Sequence, residues 1–279
     1  MKDSASESLI RSVHKEFYRD RLGFEALEQC LNEGYTPLYA PSIVLKKIEE
    51  GKDSQMWHNY YTTPSVLITT KTKGGKGVVI IAHVLTSSCK PERLRTDLKR
   101  GLFDGAFIVE KEECFSLLER EDKENVYVLN FSKYCHSGFG FMKVKKAQTD
   151  IKIEPFFGTS KGLIDEYFHI YSTLFGDAFE INHYPIDEPK DDFGLARYIY
   201  IGNKEKGTRG IGARESHYDS ANFLGAKPEL QRKTIEDVYT IDEETFNGLQ
   251  QARPFKYNGI EFVPIDYVLK AVKDSIGKK

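Results

Sequence analysis

Arginine, histidine and two carboxylates crowd into one short stretch of this chain. In residues 198–220, YIYIGNKEKGTRGIGARESHYDS, a strand-like run leads into a segment with Gly207, Gly210 and Gly212, and Arg209 and Arg214 flank those glycines. Glycine lets backbone N–H groups approach an anion, and a guanidinium can grip one through two parallel hydrogen bonds. Glu215, His217 and Asp219 follow at alternate positions. On an extended strand they share one face, and a histidine beside carboxylates can move protons near neutral pH. The expectation is an anion held by Arg209, Gly210, Gly212 and Arg214, with His217 and Glu215 or Asp219 as the catalytic groups. Ser216 and His217 are adjacent and would point to opposite faces, which argues against a local Ser-His-Asp triad. The plainer reading is a glycine-rich hairpin turn followed by a polar strand edge.

Residues Gly207 to Gly212 have a slight similarity to the pyrophosphate loop of acetyl-CoA-dependent N-acetyltransferases. Gly207 stands where that family carries Gln or Arg, and the surrounding helix and strand order differs, so the family is not adopted. A second ligand-binding candidate comes from His83, Ser87 and Glu110, each at or just past the end of an apolar strand run. In open α/β sheets ligands sit beyond the carboxyl ends of the strands. Serine hydroxyls and N–H groups before a helix can hold an anion, and an acidic residue ending a strand can bind ribose hydroxyls. The rival reading has Ser87 or Ser88 as a helix cap and Glu110 as a solvated side chain. No C-x-x-C or H-x-x-x-H pair occurs, so no metal is expected, and no cofactor is named by the sequence. The aromatic cluster from Trp57 to Tyr61 could stack a base, but covering the end of a sheet is its commoner use.

The elements that must position these groups read as follows. Residues 6–33 carry apolar side chains at three- and four-residue spacing, which predicts a helix ending at Gly34. A second helix is predicted over 41–50. Residues 65–73 and 76–85 flank Gly74-Gly75, a hairpin signature. The second of these strands is almost wholly apolar, as in a strand covered on both faces. Apolar strands over 78–85, 106–110 and 125–131 alternate with helices over 91–100 and 112–120. That order predicts three parallel strands. The fold class expected is therefore α/β, a mixed, mostly parallel sheet with a β-hairpin addition and an α+β C-terminal half. The domains expected are 1–155, an α/β domain with N-terminal helices, and 156–279, an α+β domain carrying the Gly/Arg-rich segment. Lys73-Gly74-Gly75-Lys76-Gly77 and Lys206-Gly207-Thr208-Arg209-Gly210 share a short pattern, read as coincident turn chemistry or a repeated hairpin.

The chain has 279 residues, 40% apolar and 29% charged, with a net charge of −2. This is ordinary globular composition, and the charge balance argues against non-specific nucleic-acid binding. No apolar run approaches a membrane span, and the polar N-terminus lacks a signal-peptide core, so a cytoplasmic protein is expected. Cys30, Cys89, Cys114 and Cys135 are irregularly spaced and read as free thiols. The function expected is binding of a small anionic metabolite, a nucleotide or phosphorylated compound, with an enzyme of unknown reaction type possible. The alternative is a non-catalytic nucleic-acid-binding or interaction module using Lys71, Lys73, Lys76, Lys204, Lys206, Arg209 and Arg214 at basic hairpin tips.

Overall fold

A computed structural model describes residues 12–19, 23–100, 105–120, 125–137, 139–183, 188–204, 208–213, 220–228, 255–257 and 260–262. In chain order the strands and α-helices of the first unit are β1 (Ser12–Arg19), α1 (Phe24–Asn32), β2 (Thr36–Pro37), α2 (Ala40–Glu50), β3 (Tyr60–Lys71), β4 (Gly77–Ala82), α3 (Pro91–Arg100), β5 (Phe107–Glu110), α4 (Lys111–Leu118) and β6 (Val126–Asn130). They continue with α5 (Phe131–His136), β7 (Gly140–Lys143), α6 (Val144–Ala147), α7 (Ile153–Phe157), α8 (Lys161–Phe175), β8 (Ala178–His183), β9 (Phe193–Lys204), β10 (Thr208–Ala213) and β11 (Ala221–Pro228). The chain divides into compact units Met1–Pro228 and Glu229–Lys279, and the described part of the second is an antiparallel pair, β12 (Phe255–Tyr257) and β13 (Ile260–Phe262). The boundary expected near 155 falls inside the first unit, between β7 and β8, which are hydrogen-bonded neighbours.

The expected mostly parallel sheet is corrected by the strand pairing. The large sheet has eight strands in the order β6-β4-β3-β9-β10-β8-β7, with β5 added beside β9. Strand β4 pairs antiparallel with β6, and β5 runs antiparallel to β9 rather than parallel to β4. Among the described strands the one parallel pairing is β10 with β8. Helix α3 therefore links two strands that run in opposite directions, β4 and β5, whereas α4 joins β5 to β6, which run the same way but are separated in the sheet by β9, β3 and β4. A three-stranded sheet, β1-β11-β2, completes the unit and pairs its first and last strands antiparallel. The helix predicted over 6–33 is, over its described part, the strand β1 followed by α1.

The central strands of the large sheet, β3, β4 and β9, are buried on both faces. Leu67, Val79 and Ile81 point into a core closed by α2, α7 and α8. Ile68, Ile80 and Ala82 point into a second core with α1, α4, β1 and β11, including Phe17, Leu27, Cys114 and Phe223. Two-sided burial, usual for parallel sheets, is reached here by antiparallel strands with helices on either side. Helix α8 packs one stripe, Ile164, Tyr167, Phe168 and Tyr171, at the spacing of a helix face. Its rings meet neighbours edge-on, Phe157–Tyr167 at 4.7 Å and Phe168–Phe179 at 4.8 Å. Much of the aromatic content of the sequence is thus core packing.

Candidate functional site

His83, just past β4, is 4% exposed. Its Nε2–H donates to the Pro155 carbonyl at 2.7 Å, so Nδ1 accepts from the Ser65 hydroxyl at 2.8 Å. Ser65 Oγ in turn accepts the Ala40 N–H at 2.9 Å. Desolvation pulls the imidazole down to about 4, so it is neutral at pH 7. This serine–histidine pair resembles a nucleophile and its base but is sealed in the core. It is a polar pin joining β3, α2 and α7. Gly158, left-handed at φ +58, exists because a Cβ there would stand 2.6 Å from the imidazole.

Ser87 lies in a short 3₁₀ turn, and its N–H is given to Glu113 Oε1 at 2.8 Å. The donor expected to meet a ligand anion meets a carboxylate of the chain itself. Glu110 precedes α4, is exposed, and accepts from Arg93 at 2.7 Å. Ser87 and Glu110 thus both attach near the start of α4, whereas His83 is fastened to Pro155.

Gly210 and Gly212 sit in β10, opposite Glu180 and Asn182 of β8. A Cβ at Gly210 would lie 1.7 Å from the Glu180 carbonyl oxygen, and one at Gly212 would lie 1.9 Å from that of Asn182. The missing side chains let two strands approach, a structural use for both glycines. Arg209 lies in β10 opposite Asn203. Arg214, Glu215, His217 and Asp219 lie outside the described residues. The two K-G patterns both join antiparallel strands, β3 to β4 and β9 to β10.

A polar cluster that the sequence does not advertise forms where β1, β3 and β11 meet. Glu16, exposed on β1, accepts from the Tyr61 hydroxyl at 2.8 Å, Asn59 Nδ2 at 3.2 Å and Asn222 Nδ2 at 3.1 Å. Asn222 also donates to the Tyr60 carbonyl at 3.1 Å, and the Tyr60 and Ser220 hydroxyls meet at 3.1 Å. Beneath lies Lys47, fully buried, donating to the carbonyls of Met56 at 2.7 Å and Asn59 at 3.3 Å. Its ammonium stands 5.4 Å from the Trp57 ring and 5.5 Å from that of Tyr61. Burial pulls Lys47 down to about 7, and Glu16 opposes that shift. Trp57 and Tyr61 therefore close the sheet end and cage a cation. Nothing in the sequence signals it, because Glu16 falls in a stretch whose spacing reads as helix. Its partners lie 43, 45 and 206 residues away.

Chemically, this cluster is a hydrogen-bonding surface supported from below. Among the described residues, no group of three or more histidine, cysteine, aspartate or glutamate side chains is placed to hold a metal ion. No described helix is long and apolar enough to cross a membrane. The cysteines are thiols, and burial raises Cys30 to about 12 and Cys114 to about 11.

A curled, mostly antiparallel sheet, with a smaller sheet pairing the first and last strands of the unit, defines a class of fold, and comparison gives that class a name. The chain is similar to a solved structure described as "Accommodation of massive sequence variation in Nanoarchaeota by the C-type lectin fold", with a TM-score of 0.69 and 28% identity over 78% of this chain and 99% of that one. No protein-family model matches the chain. No curated protein matches it.

Proposed function

We propose that this chain is a non-catalytic recognition protein, in which a C-type-lectin-like frame carries a ligand-binding face that tolerates sequence change. The observation that carries this reading is the similarity over nearly the whole of the Nanoarchaeota structure, whose fold is described as accommodating massive sequence variation. The distribution of burial supports it. Folding energy resides in two apolar cores, and the polar groups His83 and Lys47 are hydrogen-bonded within the protein. Exposed substitutions away from such features usually change stability by no more than about 0.5 kcal/mol. Arg209 on β10, and Arg214, Glu215, His217 and Asp219 between β10 and β11, are then ligand-contacting side chains rather than acid–base catalysts.

The test is a library randomised at those five positions, displayed and selected for binding to a fixed protein probe such as hen egg lysozyme. Folded binders should emerge. No binder from a folded library would overturn the reading. So would a rise in wild-type melting temperature with nucleotides or sugar phosphates that Arg209→Ala abolishes, since that result marks a dedicated anion site.

A further inference from the structure

A groove of about 470 Å³ opens where α4 leaves the face of the large sheet. That volume falls in the range of small-molecule sites, roughly 300–1,000 Å³. Its floor is Val78, Val128, Phe115 and Leu118. The strand register explains two of these. Val78 faces Asn130 and Ile80 faces Val128 across the β4–β6 ladder, so Val78 and Val128 share one side of the sheet. Helix α4 explains the others. It turns Cys114 and Leu117 into the core, which leaves Phe115 and Leu118, one position further round, only partly covered.

The rim carries Lys73 and Lys76 against one carboxylate, Glu119, with Thr72 and Asn130 beside them, an excess of one positive charge. Lys73 and Lys76 flank the Gly74-Gly75 turn and both line the groove. The Lys73 ammonium stands 5.1 Å from the Phe115 ring centre, and 3.8 Å from Glu119 with both side chains more than 70% exposed, a distance and exposure at which solvent screens the pair. Lys76 makes no ion pair with a described residue. Lys111 stands 5.1 Å from the same ring while donating to the Lys71 carbonyl at 2.7 Å. A half-wet apolar floor under a rim of excess positive charge matches a ligand with an apolar tail and one negative head.

We propose that this groove binds an amphiphilic monocarboxylate, with the alkyl or aryl tail on Val78, Val128, Phe115 and Leu118 and the carboxylate between Lys73 and Lys76. The site is separate from the recognition face proposed above, and it stands or falls independently of that reading. Titration calorimetry on the full chain tests it with octanoate, 1-octanol and acetate as probes. Octanoate should bind one to one, while the alcohol lacking the charge and the acetate lacking the tail should each bind at least about tenfold more weakly. The double variant Lys73→Ala/Lys76→Ala, exposed and far from either core, should lose at least about tenfold in octanoate affinity while unfolding normally. No octanoate binding, binding equal to that of 1-octanol, or octanoate affinity unchanged in the double variant would each overturn the proposal.

Discussion

At the residue scale, the described group that most looks chemically active is structural. His83 has a serine within hydrogen-bonding distance, as a general base would, yet both of its ring nitrogens are committed and it is buried. Lys47 gives this a measurable consequence. Its pKa is depressed to about 7, so from pH 7 towards 9 the unfolded chain holds a proton at this side chain that the folded chain releases. Stability contributed by this group must rise with pH across that window and level off below about 7, where both states hold the proton. Urea unfolding at pH 7, 8 and 9 should show the rise, by up to ~2–3 kcal/mol. Lys47→Met, which fills the same space without the charge, should flatten it. The window stops at 9 because the buried thiols of Cys30 and Cys114, raised to about 12 and 11, begin to act in the opposite sense above that pH.

At the element scale, much of the chain is legible in its sequence and the strand directions are not. The β3–β4 hairpin, α2, α3, α4 and α8 follow from turn glycines, apolar spacing and flanking Pro or Gly. Parallel and antiparallel strands buried on both faces present the same continuous apolar run, so GVVIIA of β4 says that two layers cover it but not which way its neighbours run. Strand β1 is masked differently. Val13, Phe17 and the residues before it fit a helical spacing, and what makes 12–19 a strand is its partner β11, about 200 positions later. At Pro64 the β3–β9 ladder shifts register, and Thr63 Oγ1 caps the Ile199 carbonyl at 2.8 Å. The glycines of β10 were legible as positions of close approach, but the approaching group is the backbone of β8. Gly210→Ala should accordingly destabilise the protein by at least ~3 kcal/mol or prevent folding, measured by thermal or urea denaturation, because backbone rather than a pliable side chain fills the space.

At the scale of the whole molecule, the first unit is a frame closed by its own ends. Strands β1 and β11 pair over eight residues, from Ser12 opposite Pro228 to Arg19 opposite Ala221. The Glu16 cluster ties that small sheet to β3 of the large one. Connecting segments tolerate change more readily than the elements they join, and that is the link between this architecture and the proposed recognition role. The candidate site read from residues 198–220 keeps its place in this account and changes its part. Strand pairing uses two of its glycines, and its charged side chains are assigned to ligand contact.

The central claim is that this charged segment serves recognition and contributes little to folding. The most direct measurement is the melting temperature of the five-fold variant R209A/R214A/E215A/H217A/D219A beside the wild type. The account predicts cooperative unfolding within about 3 °C of the wild type. A fall of about 10 °C or more, or loss of cooperativity, would show that these residues hold the fold together and would contradict a substitution-tolerant binding face.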